Sequence, residues 1–237
     1  MAAELLQSPA TLEGTVVVAA HQTHGRGQRG NAWQSEPGQN LTFSLILKPG
    51  FLPATRQFGL NMAVALAIYD CLEALLPGGL RIKWPNDIYW KDCKMGGILI
   101  ENAIQGENLT HSIVGIGLNV NQLDFSGNVR ASSMKLISQA SGNEDGHDLE
   151  ILLNLLLESL EKRYLQLRGG LTAGQGFGGL ERYYLQSLYG LGQVRRFRSD
   201  GRDFEGVITG IDTTGRLAVR ENNKTRHFSF KEIEFVF

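Results

Sequence analysis

The sequence predicts an α+β protein of two units, a larger one that combines a β-sheet with helices and a smaller one made of β-strands. In the larger unit, short apolar runs rich in β-branched residues alternate with long segments whose apolar residues recur at helical spacing. Beyond Gly190 the pattern changes to short alternating runs separated by turn residues, which is typical of a small β-barrel. We therefore expect one domain over residues 1–188 and a second over 189–237.

The first half of the chain is expected to place strands on either side of one buried helix. Apolar residues between Thr55 and Leu76 cover more than one helical face, which predicts a mostly buried helix. The residue before Pro85 is held in an extended conformation, so we expect the preceding strand to end there. The predicted elements are a helix at 2–7, strands at 14–20 and 40–48, a helix at 55–76, a strand at 80–83 and a turn at 85–87.

The second half begins with a predicted hairpin and ends with the barrel. Two apolar runs joined by a polar segment favour adjacent central strands, and Asp148 is suited to cap the helix that follows. The predicted elements are strands at 97–101 and 111–120, helices at 148–168 and 180–188, and barrel strands at 193–198, 204–211, 216–220, 224–230 and 233–237.

Composition excludes several classes of protein. The 237 residues are 42% hydrophobic and 20% charged, as in an ordinary globular protein. Lys and Arg number 23 against 24 Asp and Glu, so the formal charge of −1 gives no basic surface for nucleic acid. We expect no membrane-spanning segment and no targeting sequence, because no run approaches transmembrane length. A cytoplasmic location is therefore the default. Two cysteines without partners at metal-ligand spacing support neither a disulfide framework nor a zinc site, and we interpret them as buried or idle thiols.

A glycine- and arginine-rich loop follows the first predicted strand. Gly25, Gly27 and Gly30 allow positive φ and close backbone approach, while Arg26 and Arg29 bring fixed positive charge. Carboxylate and phosphate groups suit such a loop. Neither a dinucleotide-binding fingerprint nor a Walker loop fits, and a solvated turn is the alternative interpretation.

Two further segments add candidate site residues. Residues 83–87, Lys-Trp-Pro-Asn-Asp, form either a simple turn or a strand end that presents binding groups. Lys94 lies either on an exposed hairpin tip or beside a ligand that approaches the following glycines. Trp33 is either a core residue or a stacking platform, and Asn119, near a strand end, is similarly open.

Together these segments resemble the ordered motifs of biotin protein ligases. The resemblance rests on residues 22–33, 83–88, 94–101 and 115–120, and it covers most of residues 14–120. It implies a class II synthetase-like fold, with a mixed or antiparallel sheet and helices packed on one side. The terminal barrel is similar to the SH3-like C-terminal domain of that family.

The resemblance also implies chemistry in two steps, with biotin, ATP and Mg²⁺. Biotin and MgATP give biotinyl-5′-AMP and pyrophosphate, and a lysine of a biotin carboxyl carrier domain then accepts the biotinyl group. Biotin-binding residues would be Gln22, Gly25, Arg26, Gly27, Gln28, Lys94 and Gly97. Nucleotide-binding residues would be Arg29, Trp33, Lys83, Asn86, Asp87 and Asn119. Arg26, Lys94 and Asp87 would be catalytic, with Mg²⁺ on the phosphates near Asp87.

Three features of the sequence differ from the family pattern. First, no Ser-Thr-Asn element precedes the loop, and we interpret this absence as a chain that begins late. Second, Gln28 stands where many members have arginine. Third, no helix-turn-helix precedes the ligase unit. DNA binding is therefore not expected. The rival interpretations are a catalytically impaired biotin-binding or regulatory protein, a lipoate or octanoyl transferase, and an RNA-binding module. Either a monomer or a homodimer is compatible with the sequence.

Overall fold

Two antiparallel sheets and two long helices form the structure, which is a computed structural model. It describes residues 2–6, 8, 10–23, 25–27, 33–76, 78–125 and 130–237. The larger sheet and the helices come before residue 188, and the smaller sheet follows it. The predicted α+β class is confirmed.

The larger unit contains six strands and five α-helices within the described residues. They are α1 (Ala2–Leu5), β1 (Val16–Val18), β2 (Leu41–Leu47), a 3₁₀ turn (Ala54–Arg56), α2 (Phe58–Leu75), β3 (Leu80–Lys83), β4 (Asp87–Trp90), β5 (Cys93–Gln105), β6 (Asn108–Leu118), α3 (Met134–Ala140), α4 (Leu149–Thr172) and α5 (Leu180–Gln186). The sheet order is β1-β2-β6-β5-β4-β3, and every neighbouring pair is antiparallel.

Helices α2 and α4 cover one face of this sheet. On the alternating strand β2, Leu45 and Leu47 face α2 and α4, while Thr42 and Ser44 face the opposite side. The two helices are joined by an ion pair in which the Arg163 guanidinium donates to both carboxylate oxygens of Asp70, at 2.6 and 2.9 Å. The opposite face of the sheet is therefore left for a ligand.

The core helix corrects one expectation. The helical segment Ala54–Leu75 has 22 residues and a mean hydropathy of 1.4, so by length and composition it could cross a membrane. The expectation that no run approaches transmembrane length was therefore wrong. The most apolar window of this segment is 67% buried inside the protein, as expected for the central helix of a folded core. Two apolar faces, one toward the sheet and one toward α4, explain its composition.

Three local predictions needed revision. The turn occupies 84–86 rather than 85–87, with a cis Trp84–Pro85 bond, and Asp87 already begins β4. Strand β4 was not predicted, because four residues carry too little periodicity. Helix α3 was also missed; it has seven residues, and its local signal is Ser133, whose hydroxyl accepts a hydrogen bond from the Leu136 amide at 3.2 Å. The predicted β5–β6 hairpin is confirmed and is longer than expected.

The smaller sheet contains β7 (Val194–Ser199), β8 (Arg202–Ile211), β9 (Leu217–Glu221), β10 (Lys224–Phe228) and β11 (Glu234–Val236). Its order is β10-β9-β8-β7-β11. The β8–β9 turn contacts the larger unit through Gly215, whose carbonyl accepts a hydrogen bond from Trp84 Nε1 at 2.9 Å. Gly215 has φ +88°, and a Cβ there would lie 2.2 Å from Phe58 Cγ, so only glycine allows this close packing.

Candidate active site

A cavity of about 700 Å³ opens on the sheet face that α2 and α4 leave uncovered, and Ala2 and Ala3 of α1 contribute to its lining. Strands β1, β2, β6 and β5 form its floor. Residues of the glycine-rich loop and of the turn after β3 form its walls. Glu234 and Phe235 of β11 complete the rim, so both domains contribute to one site. This volume is sufficient for a substrate of drug-like size.

A row of cross-strand partners forms the floor of the cavity. Asp87 pairs with Gly97, Gly97 with Gly117, and Gly117 with Thr42. Partners in adjacent strands project to the same face, so Asp87 and Thr42 flank two positions without side chains. The two central glycines therefore leave an open strip of backbone on which other groups can lie.

An ion pair occupies one end of this strip. Lys94 Nζ lies 2.7 Å from Asp87 Oδ1, and the two side chains are 35% and 20% exposed. A Cβ built on Gly97 would be 3.5 Å from both atoms, so the pair lies directly beside that glycine. The backbone of Lys94 is held by hydrogen bonds to the Arg130 carbonyl and from the Ser132 amide, at 2.7 and 2.9 Å. Lys94 thus belongs to a strand, while the hairpin tip is formed by residues 91–92.

The turn after β3 is held from several sides. The Pro85 carbonyl accepts hydrogen bonds from Asn61 Nδ2 at 2.7 Å and from the buried Tyr184 hydroxyl at 3.3 Å. Asn86 is buried, and its side-chain amide donates to the Ile98 carbonyl at 2.5 Å. The turn therefore presents its polar groups to the cavity from a rigid position.

Lys83 reaches the cavity from within a group of aromatic rings. Its ammonium lies 4.9 Å from the ring centres of both Tyr89 and Phe235 and 5.0 Å from that of Phe237. It also donates to the Tyr89 hydroxyl at 3.2 Å. Burial, followed by the nearby Asp87 carboxylate, raises the pKa of Tyr89, so this phenol stays neutral. Two of the three rings come from the last residues of the smaller domain.

The described part of the glycine-rich loop shows a close backbone approach. The Gly25 carbonyl accepts from the Trp33 amide at 2.9 Å, and a Cβ on Gly25 would lie 2.4 Å from the Trp33 carbonyl oxygen. Arg26 is 72% exposed and lies 3.3 Å from Glu101 across the cavity mouth. The predicted residues Gln28 and Arg29 lie outside the described residues.

Trp33 covers the middle of the floor. A Cβ on Gly117 would be 2.4 Å from Cε2 of the indole, so this glycine is required by the ring. The indole Nε1 is buried and has no hydrogen-bond partner within the described part of the chain. Trp33 is partly buried and lines the cavity, so it is available to contact a ligand.

Most of the predicted site residues meet at this cavity. Those that line it are Gln22, Arg26, Gly27, Trp33, Lys83, Asn86, Asp87, Lys94 and Gly97. Gly25 and Asn119 are not among its lining residues. The Asn119 side chain donates to the Ser132 carbonyl at 3.0 Å and so fastens the segment before α3.

Several lining residues were not predicted as site residues. Thr42, Glu101 and Phe235 are among them. No motif marks Thr42 or Phe235, because their position depends on strand register and on domain packing. The described residues contain no group of three or more His, Cys, Asp or Glu side chains that could hold a metal ion.

The chain matches two protein-family models. The model described as the biotin/lipoate A/B protein ligase family matches residues 1–119, and the biotin protein ligase C terminal domain matches residues 191–236. The biotin--[acetyl-CoA-carboxylase] ligase of Paracoccus denitrificans is 33% identical over 225 residues, covering 92% of this chain and 89% of that one. The bifunctional ligase/repressor BirA of Bacillus spizizenii is 34% identical, and the match covers 94% of this chain but 66% of that protein.

Solved structures show the same fold. The biotin protein ligase from Aquifex aeolicus in complex with biotin and ATP superposes with a TM-score of 0.78 at 24% identity, covering 98% of this chain and 93% of that one. The biotin protein ligase from Leishmania major in complex with biotinyl-5-AMP gives a TM-score of 0.63, also at 24% identity, covering 96% of this chain and 93% of that one. At this identity the likeness concerns the fold alone.

Proposed function

The chain belongs to the biotin protein ligases, within the biotin/lipoate A/B protein ligase family, and on that premise we propose that it activates biotin with MgATP. The activated biotin is then transferred to a lysine of a biotin carboxyl carrier domain. The observation that carries this proposal is the Lys94–Asp87 pair beside Gly97, next to the rigid turn at 84–86.

Positioning and charge neutralisation are the main tasks of this site. The biotin carboxylate and the α-phosphate of ATP are both anionic, so they must be held together against their repulsion. Lys94 supplies a positive charge at the open strip of backbone, and Arg26 supplies a second at the mouth. Lys83, next to the turn, is suited to the nucleotide phosphates, and the Trp33 indole is suited to stack on the adenine.

In the first step, a carboxylate oxygen of biotin attacks the α-phosphorus of ATP. The bond between that phosphorus and the bridging oxygen breaks, and pyrophosphate leaves, giving a mixed anhydride. In the second step, the neutral amine of the carrier lysine attacks the acyl carbon, AMP leaves and a proton is released. No side chain of this protein has to become covalently modified, because the adenylate carries the activation.

Magnesium is proposed to enter as the MgATP complex. Asp87 is the carboxylate at the turn, and one of its oxygens is bound by Lys94. Since the described residues hold no metal-binding cluster, the phosphates themselves would supply most of the ligands of Mg²⁺. We also propose a cytoplasmic location, no nucleic-acid partner, and either a monomer or a homodimer.

Lipoate or octanoyl transfer is the second candidate function for this protein. The match of residues 191–236 to the biotin protein ligase C terminal domain supports the biotin reaction over it. A biotin-binding protein without catalysis is the third candidate.

Purified protein offered biotin, MgATP and a carrier domain tests the proposal. We expect pyrophosphate release and a biotinylated carrier, measured by mass spectrometry, and Lys94→Met should lower the adenylation rate by about 10²- to 10³-fold. Lys91→Met is the matched control, because Lys91 lies at the exposed hairpin tip over the Trp90 ring. Transfer of lipoate instead of biotin would favour the second candidate, and binding of biotin without pyrophosphate release would favour the third.

A further inference from the structure

Helix α4 carries a line of exposed residues on the side that faces away from the core. Since α2 packs on both the sheet and α4, α4 is the outer layer of the protein here. Six exposed positions follow one another along α4 in alternating steps of four and three residues. This spacing places them on one side of the helix, opposite the buried Leu156, Leu160 and Leu167. We call the six residues the outer stripe; they are Ile151, Leu155, Glu158, Lys162, Leu165 and Gly169.

Three members of the outer stripe are large and apolar. Ile151, Leu155 and Leu165 are 61%, 41% and 52% exposed. A surface helix normally carries polar residues opposite its core face. Single exposed apolar residues are ordinary, but these three lie on one line that is about 21 Å long at 1.5 Å per residue. Such a line resembles the seam along which two helices pack.

Gly169 is a second, independent observation on the same line. Glycine inside a helix lowers its stability, so the position needs a reason. A Cβ on Gly170 would lie 2.5 Å from the Gly178 amide nitrogen, whereas a Cβ on Gly169 would meet no atom within 4 Å. Packing within the described chain therefore explains Gly170 and leaves Gly169 unexplained. A residue without a side chain allows a second helix to approach closely at that point.

The order of residues in the outer stripe is self-complementary. When two copies of α4 run antiparallel about a two-fold axis at position 160, residues at equal distances before and after that position face each other. Leu155 then faces Leu165, and Glu158 faces Lys162. In the same arrangement Ile151 faces Gly169. Glu158 and Lys162 form no ion pair with any residue that the structure describes, so both charges can pair across the axis.

We propose that this chain forms a symmetric homodimer in which two α4 helices pack antiparallel through their outer stripes. The second copy is the occupant because each member of the stripe meets its complement in the same stripe: apolar against apolar, acid against base, and a branched side chain against glycine. The outer stripe and the cavity lie on opposite sides of the larger sheet, so both cavities stay open in the dimer.

The length of the stripe determines the expected strength of the dimer. From residue 151 to residue 169 the helix extends about 27 Å. One helix pair of this length is smaller than a standard interface, which buries about 1,200–2,000 Å². We therefore expect a reversible dimer with a Kd on the order of 10 µM. Sedimentation velocity of the full chain between about 1 and about 300 µM should show the monomer converting to the dimer as the concentration rises.

Charge reversal on the outer stripe tests the predicted pairing. Glu158→Lys and Lys162→Glu each place like charges opposite one another, and each should raise the Kd by about 10-fold. The double variant Glu158→Lys/Lys162→Glu restores opposite charges, and its Kd should return to within about 3-fold of the wild-type value. Glu205→Lys is the matched control, because Glu205 is an exposed carboxylate on β8 of the smaller sheet.

Two further variants test the apolar part of the seam. Gly169→Gln should raise the melting temperature of the monomer, because glutamine is the better helix former, and should raise the Kd by about 10-fold, because its side chain blocks Ile151 of the second copy. Leu165→Ser should also raise the Kd by about 10-fold. Val194→Ser is its control, since Val194 is equally apolar and exposed but lies on β7.

Three results would overturn the inference. The first is a wild-type chain that remains monomeric at every concentration, which would leave the outer stripe to a different protein. The second is a dimer whose Kd does not change in either single charge reversal, because another surface would then hold it. The third is a double charge reversal that stays as weak as the single variants. Sedimentation needs no substrate, so none of these results depends on the proposed function.

Discussion

Replacing Phe235 by leucine tests whether the smaller domain controls nucleotide binding. Phe235 lies in β11, and its ring centre is 4.9 Å from the ammonium of Lys83, which lines the cavity beside the turn. Leucine keeps an apolar side chain but removes the ring face that attracts the cation. Lys83 then samples other rotamers in the free protein, and ordering it again on the phosphates costs free energy.

The size of the effect follows from the geometry. A cation–π contact contributes about 0.5–1 kcal/mol at an exposed site and about 2 kcal/mol when desolvated. Lys83 is partly buried, so we take about 1 kcal/mol for one ring, which corresponds to a roughly 5-fold rise in the KM for ATP. Replacing Phe237 as well should raise it further, since its ring is 5.0 Å from the same ammonium.

Steady-state adenylation kinetics with ATP and biotin varied separately provide the assay. The control is Phe228→Leu, which removes a ring from the same small sheet that packs on Phe204; the Phe228 ring is more deeply buried than that of Phe235. The KM for biotin should not change in either variant. The reasoning is refuted if Phe228→Leu raises the KM for ATP as much as Phe235→Leu does. It is also refuted if Phe235→Leu retains its full effect when Lys83 is already methionine, because a true pairwise interaction disappears in that background.

Three further predictions concern the pair, the domain contact and a buried thiol. Asp87→Asn removes the negative charge beside Lys94. Because solvent screens this partly exposed pair, we expect kcat/KM for adenylation to fall by only about 10-fold. Unchanged kinetics would contradict this prediction. Trp84→Phe leaves the Gly215 carbonyl without its hydrogen-bond donor. Urea titration should therefore show that the free energy of unfolding falls by about 1–3 kcal/mol. A fall of less than about 0.5 kcal/mol would argue against the contact. Burial, with a smaller contribution from a nearby carboxylate, raises the pKa of Cys71 from 9.0 to about 11. The folded thiol therefore keeps a proton that the unfolded chain releases, and stability should decline as the pH rises from about 9 to about 11. Cys71→Ala should show a flatter decline, and an identical pH profile would count against it.

Local patterns predicted most of the fold. The β5–β6 hairpin, the buried helix α2 and the helix capped by Asp148 were all anticipated, and the Asp148 carboxylate accepts from the Glu150 and Ile151 amides at 2.9 and 3.0 Å. These features depend on periodicity and capping, which act over a few residues. Strand β4 and helix α3 were missed because four and seven residues carry weak periodicity and are stabilised by their neighbours.

By itself, the sequence determined the chemical groups of the site and their order along the chain. The loop arginines, the turn after Lys83 and the lysine before two glycines are short-range motifs, and their residue types alone indicate the binding of anions. Only the tertiary structure decided which groups share the cavity. Register across four strands aligns Thr42 with Asp87, and packing of the small domain brings Phe235 to Lys83. Both depend on contacts between residues far apart in the chain, which no local pattern records.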